Sequence, residues 1–279
     1  MLKDPNILTL LSRLLCVPKC ASCGETLSPI SKSNNLSYNR ACLCDKCITE
    51  WYQAKVEMCH TCYLPAGECT CTQITRKINQ STIPSLFFYH RGRNKVQNRV
   101  LYTIKRKKYT ELFEFIAKEL APSVEKLLAA EKISKYDCIL TYIPRNPKSV
   151  KKYGLDQSIL LSQALARELD LNPPIALLER VGGKEQKKLD RRSRSKNTDE
   201  SVFLREKFSI SEKNLIQKSF PDIKDMSVGG IIENKTVLVL DDIITTGASM
   251  RRAILLLEPQ KPRRILTLCV ARTELKKKD

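Results

Sequence analysis

Apolar residues recur along the chain at two spacings, and the change from one to the other separates strands from helices. Val237-Leu238-Val239-Leu240 is continuously apolar, the pattern of a strand buried on both faces of a parallel sheet. Leu86 to Tyr89, Tyr136 to Ile143 and Arg264 to Val270, with its apolar run Ile265–Val270, read the same way. Helical spacing joins Val96, Val100, Leu101 and Ile104, then Leu112, Phe115, Ile116, Leu120, Val124 and Leu127 within 111–131. Pro122 should kink that second helix or restart it. Residues 158–169 and 250–258 are amphipathic helices, the latter burying Ala253, Ile254, Leu256 and Leu257 and exposing Arg251 and Arg252. A short amphipathic helix is also expected over residues 6–17, docked on the body. The fold class expected is α/β, a parallel sheet flanked by helices.

Between these elements the pattern fades. Residues 72–84 read as a linker and 206–234 as a mixed, polar insertion with Gly229-Gly230 near its end. Residues 184–196 carry seven bases and two acids around a single apolar Leu189. That is a basic loop able to close over a polyanion or track a phosphate backbone. The tail Lys276-Lys277-Lys278 is expected to be disordered. No apolar run approaches the roughly 20 residues that span a bilayer, and Arg13 with no small-residue cleavage site argues against a signal peptide. A cytoplasmic protein is expected.

Charge narrows the partners. The 279 residues carry a formal net charge of +19, which favours nucleic acid or another polyanion. The bases concentrate in Arg91, Arg93, Lys95 and Arg99, in Lys105-Arg106-Lys107-Lys108, and in Lys151-Lys152.

Ten of the twelve cysteines lie between Cys16 and Cys71. Cys20-Ala-Ser-Cys23 pairs with Cys44-Asp-Lys-Cys47, and Cys59-His-Thr-Cys62 with Cys69-Thr-Cys71. Thiolates one or two residues apart reach a single ion through a tight turn, and two such pairs complete a tetrahedral shell. Zn2+ is expected at two structural sites: Cys20, Cys23, Cys44, Cys47 and Cys59, Cys62, Cys69, Cys71. Cys16 could replace Cys20, and Cys42 could replace Cys44. Disulfides are the rival, disfavoured by the spacing and the missing export signal. The segment has few large apolar residues beyond Trp51 and Tyr52, so metal would supply its folding energy. Cys138 and Cys269 sit in apolar runs as core residues, and His60 is read as incidental.

The densest chemistry follows Leu240. Asp241 and Asp242 end the apolar run, then Thr245, Thr246, Gly247, Ala248 and Ser249 lead into the helix. Hydroxyls and N–H groups at a helix start suit a phosphate, and adjacent carboxylates suit neutral hydroxyls. A sugar phosphate offers both. Upstream, the strand ending at Ile143 runs into Pro144-Arg145, and Lys152-Tyr153-Gly154-Leu155-Asp156-Gln157 precedes a helix. Arg145, with the backbone amides there, and Lys152 could meet a pyrophosphate.

The stretch from Val237 to Ser249 resembles the binding signature of type I phosphoribosyltransferases. The resemblance implies that Asp241 and Asp242 take the ribose hydroxyls of phosphoribosyl pyrophosphate and that residues 245–249 wrap its 5′-phosphate. The whole layout resembles the ComF family of bacterial competence and DNA uptake, in which a double zinc ribbon precedes a phosphoribosyltransferase-like domain. Its Arg-Gly-Phe-Asn-Gln element stands here as Tyr153-Gly154-Leu155-Asp156-Gln157, and a second element as Gln186, Leu189, Arg194, Asn197 and Phe203. Asp156 replaces the family's Asn, and Tyr142 stands where a Pro is expected. By this resemblance, residues 1–75 hold an N-terminal helix and double zinc ribbon, and 85–279 the phosphoribosyltransferase-like domain. The implied function is phosphoribosyl pyrophosphate binding with Mg2+, together with single-stranded DNA binding in natural transformation, with a DNA-uptake helicase or other competence proteins as partners. The alternatives are an active phosphoribosyltransferase of nucleotide salvage, in which Asp241 and Asp242 are catalytic, and a non-catalytic sensor of the sugar phosphate.

Overall fold

A computed structural model of the chain describes residues 18–27, 42–71, 80, 82–90, 92, 94–181 and 201–274. The expected helix at 6–17, most of the 72–84 linker, the 184–196 loop and the tail lie outside the described residues, as does Cys16.

The centre is a parallel sheet in the order β1-β6-β5-β2, made of β1 (Phe87–Phe88), β6 (Arg264–Arg272), β5 (Thr236–Ile244) and β2 (Cys138–Tyr142). β5 is central, with Val237 opposite Ile139 on one side and Ile265 on the other. Its Val-Leu alternation divides the core. Leu238 and Leu240 join Leu266, Leu268 and Leu140 on one face, while Val237 and Val239 join Ile139, Ile265 and Cys269 on the other.

The first face is covered by α2 (Val96–Ile104), α3 (Thr110–Ala130) and α5 (Gln157–Glu168). α3 runs unbroken through Pro122, so of the kink or restart expected there the restart does not occur. Ala121 and Val124, on either side of the proline, are buried, so packing offsets the lost backbone bond. The second face is covered by α8 (Ala248–Leu257), α6 (Ile210–Ser219), the short α7 (Val228–Ile232) and an antiparallel pair, β3 (Leu178–Arg180) with β4 (Val202–Leu204). Residues 206–234 are therefore part of the core, not an insertion beside it. Phe208, Ile216, Phe220, Ile223, Val228 and Ile231 are buried there, and a capping box between Ser209 and Glu212 starts α6. They are spread over a loop, a helix, a turn and a second short helix, so no single period registers along the segment.

The helix α1 (Asp45–Lys55) of the Cys-rich region docks on the first face. Trp51 is completely buried, with ring centroids 4.6 Å from Phe87 and 5.0 Å from Phe115, and its indole N–H donates to Glu119 at 3.2 Å. α4 (Pro147–Tyr153) ends at Gly154, whose φ of 69° lets the chain turn directly into α5.

Candidate functional site

The two cysteine knuckles are built alike. Cys20 N–H donates to Glu25 O and Gly24 N–H to Cys20 O; Cys59 N–H donates to Leu64 O and Tyr63 N–H to Cys59 O. The fifth residue of each turn is left-handed, Gly24 at φ 80° and Tyr63 at 55°. The turns bring together Cys20, Cys23, Cys44 and Cys47 in one cluster and Cys59, Cys62, Cys69 and Cys71 in another, the sulfurs of each within 4.8 Å of one another. None of the eleven described cysteines is disulfide-bonded. Two four-sulfur shells of this size fit a tetrahedral divalent ion such as zinc. Backbone amides already serve two sulfurs, Cys44 N–H to Cys20 Sγ and Thr61 N–H to Cys59 Sγ, both at 3.4 Å, the outer support such ligands need.

Cys42 stays outside the cluster: it is buried, and burial pushes its thiol up to about 12. Cys138 and Cys269 are core residues, and burial raises both thiols, Cys138 to about 11. His60 does not join the sulfurs; it pairs with Glu274.

At the carboxyl end of the sheet, β5 runs on through Asp241 and Asp242 to Ile244. Alternation sends the two carboxylates apart. Asp242 goes to the α2/α5 side, where Lys105 Nζ lies 3.1 Å and Gln157 Nε2 3.0 Å from its Oδ2. Asp241 faces the hairpin side; its Oδ1 accepts the Asp242 N–H at 2.9 Å. Burial, and then the neighbouring Asp242 charge, raise the Asp241 carboxyl well above the ordinary aspartate range; Lys105 and Arg180 pull the other way. Oδ2 of Asp241 and Oδ1 of Asp242 have no hydrogen-bond partner among the described residues. Each carboxylate thus keeps one acceptor oxygen unused among the described residues.

Beyond Ile244 the chain turns through Thr245 and Thr246, both exposed, and Gly247 at φ 72° into α8. A left-handed residue at this point lets the chain turn into the helix, whose first N–H, that of Ala248, donates to Thr246 Oγ1 at 3.4 Å. Arg180 Nη2 donates to Ser249 Oγ at 3.0 Å, so β3 brings a guanidinium over the same helix start. Arg145, at the end of β2, does not offer its amide: that N–H is already donated to Asp156 Oδ2 at 2.9 Å, while Asp156 Oδ1 caps α5 by accepting the Ser158 N–H. The Asp156 carboxylate thus accepts from both at once. The Arg145 side chain lies over Tyr153, 5.0 Å from the ring centroid, and burial lowers its pKa from the usual arginine value. Lys152 is exposed and also lies over Tyr153, at 5.4 Å.

Lys105, Gln157 and Arg180 escaped the sequence reading as site residues. Lys105 was one base in a run of four, and Arg180 lay at the edge of a loop. Only the fold brings them together: α2 and α5 carry Lys105 and Gln157 to Asp242, and β3 carries Arg180 to Ser249. The same packing builds a ladder of rings and cations beside the crevice: Arg106 lies 3.5 Å from the centroid of Tyr102 and 5.3 Å from that of Tyr153, which Arg145 covers in turn. A cavity of about 530 Å3 adjoins it, lined by Tyr142, Arg145, Asp156, Arg180 and Arg205 among others.

Residues 155–279 match the family model described as "Phosphoribosyl transferase domain". Those residues include Gln157, Arg180, both aspartates, the 245–249 loop and β6. The chain is also 24% identical over 260 residues to "Competence protein ComFC" of Streptococcus pneumoniae (strain ATCC BAA-255 / R6), across 91% of this chain and all of that protein. Among the described residues no helix is long and apolar enough to cross a membrane.

Proposed function

We propose that this chain, a ComFC homologue joining two four-cysteine clusters to a phosphoribosyl transferase domain, binds phosphoribosyl pyrophosphate at the carboxyl end of its sheet and single-stranded DNA along the adjoining basic-aromatic surface. One observation carries the sugar-phosphate reading: two open carboxylate oxygens, Oδ2 of Asp241 and Oδ1 of Asp242, beside a ten-residue helix that starts on Thr-Thr-Gly. A ribose diol donates two hydroxyl protons to two such oxygens, and residues 245–249 receive the 5′-phosphate through N–H groups, hydroxyls and the helix dipole. Mg2+ would accompany the pyrophosphate, whose charge Arg145 and Lys152 would meet with their side chains. Calorimetry of phosphoribosyl pyrophosphate with and without Mg2+ tests this. No heat above dilution in zinc-replete, folded protein would sink it.

The DNA reading rests on Tyr102, Arg106, Tyr153 and Arg145. Alternating rings and guanidinium groups give stacking faces and phosphate contacts without sequence preference. An affinity for single strands that does not fall as salt rises would remove the phosphate contacts from the account. By analogy with the relative's name, the role is in competence, in the cytoplasm, handing strands to or from a DNA-uptake helicase or other competence proteins.

Turnover is the second reading, and the cavity lined by Tyr142 and Arg205 favours it by supplying room for an acceptor. In that case Asp241 and Asp242 hold the ribose as positive charge grows at its anomeric carbon. Pyrophosphate release with purine, pyrimidine and orotate acceptors decides between binding and catalysis.

A further inference from the structure

Arg272 ends β6 opposite Phe88 of β1, its register partner. It is 2% exposed, and Nε, Nη1 and Nη2 all lack a hydrogen-bond partner among the described residues. A guanidinium taken out of water without an anion costs several kcal/mol. The side chain lies over Phe88, 5.8 Å from the ring centroid, and Phe88 packs in one apolar cluster with Cys59 and Cys69. A divalent ion held on four thiolates would carry two net negative charges, and the cluster that would hold it packs on the same ring that Arg272 covers.

The next two residues lead from that centre to the crevice. Glu274 accepts the His60 N–H at 2.9 Å and pairs with His60 Nδ1, also at 2.9 Å, inside the knuckle itself. Thr273 N–H donates to Ile244 O at 2.9 Å, and Thr273 Oγ1 to Thr245 O at 2.8 Å. Thr245 opens the loop assigned above to the 5′-phosphate.

We infer that the strand end Arg272-Thr273-Glu274 couples the second four-cysteine centre to the phosphate loop, with Arg272 as buried counter-cation to the metal-bound thiolates and Thr273 as a positioning residue for Thr245. Metal occupancy at this centre then sets the affinity of the crevice. The second half of this inference rests on the sugar-phosphate reading; the first does not.

The test uses full-length, zinc-loaded protein, with zinc release to a chromophoric chelator and phosphoribosyl pyrophosphate affinity measured on the same samples. Arg272→Met, a well-packed apolar replacement, should release one of two zinc equivalents about tenfold faster than wild type, whereas Arg272→Lys, which keeps the charge, should stay near wild type. Thr273→Val should leave zinc release unchanged and weaken phosphoribosyl pyrophosphate about fivefold, the worth of one hydrogen bond. Emptying the second centre by Cys69→Ser should weaken binding, and should weaken it less when Thr273→Val is added. Release by Arg272→Met at the wild-type rate, or equal loss of both equivalents, overturns the counter-cation. Wild-type affinity in Thr273→Val overturns the coupling. If wild type binds no phosphoribosyl pyrophosphate, the sugar-phosphate reading and the coupling fall together, and zinc release still decides the role of Arg272. Should Arg272→Met not fold, Glu274→Ala makes the comparison from the rim: faster release of one equivalent supports the link, unchanged release refutes it.

Discussion

The two four-cysteine centres share a knuckle and differ in everything around it. Each has an arginine beside it. Arg99, at the first centre, is partly exposed and fully partnered: it donates to Glu50 at 2.6 Å and to Ser22 Oγ at 2.8 Å, and approaches Cys47 Sγ at 3.9 Å. Arg272, at the second, is buried and unpartnered among the described residues. The first centre is anchored by α1, through Trp51, to the first face of the core. The second is anchored to the ends of β1 and β6, where the crevice lies. The same local turn thus serves two ends: one centre secures the fold, and the other stands next to the proposed ligand.

Loss of one metal ligand at a time breaks that contrast most directly. Cys47→Ser should lose one zinc equivalent and free α1 with Trp51, lowering the melting temperature by about 10 °C, as roughly 4 kcal/mol does in a protein of this size. Cys69→Ser should lose the other equivalent with a smaller thermal shift but a clear loss of phosphoribosyl pyrophosphate affinity. Metal analysis, melting curves and calorimetry on both variants would decide. Equal loss of affinity in the two would erase the distinction.

The crevice supplies the scale for that reading. Replacing Asp241 and Asp242 together by alanine should cost at least about 100-fold in sugar-phosphate affinity, roughly 3 kcal/mol, while both zinc equivalents remain. Unchanged affinity in a folded double variant would end the assignment. Gly247→Ala is expected to cost about 1–2 kcal/mol of stability, because a side chain is placed at positive φ, with weaker phosphate binding in calorimetry.

Asp241→Asn gives the smallest effect and the one with a definite sign. The folded protein raises the Asp241 carboxyl, first through burial and then through Asp242, so its ionised form subtracts stability. That subtraction is absent below the ordinary aspartate range, about pH 4, and grows as pH rises through the window up to the raised value. Asp241→Asn should therefore melt with wild type in acid and about 3 °C above it at neutral pH, near 1 kcal/mol. A thermal-shift series across pH checks this. A gap that widens toward low pH would reverse the sign.

Much of this was legible in the residues because the relevant physics is short-range. Two cysteines two residues apart can reach one ion wherever the turn is placed, so the ligand sets could be written from spacing, and Cys44 rather than Cys42 takes part. The Val-Leu run of β5 followed by two acids and Thr-Thr-Gly likewise specifies strand, loop and helix in one segment. Segment 206–234 was misread because its buried residues follow no single period. Pro122 does not restart its helix, because the packing of Ala121 and Val124 outweighs its local cost.

By itself, then, the sequence determined the knuckles, the buried strands and the order strand, acids, hydroxyls, helix, each set by bonds or sterics between near neighbours. Tertiary structure alone decided which distant groups share a field. It put Lys105 and Gln157 on Asp242, spent the Arg145 amide on Asp156, and buried Arg272 against the second four-cysteine centre. Coulomb energy and desolvation depend on distance in space and on the medium between charges, and the chain acquires both only when its elements cross.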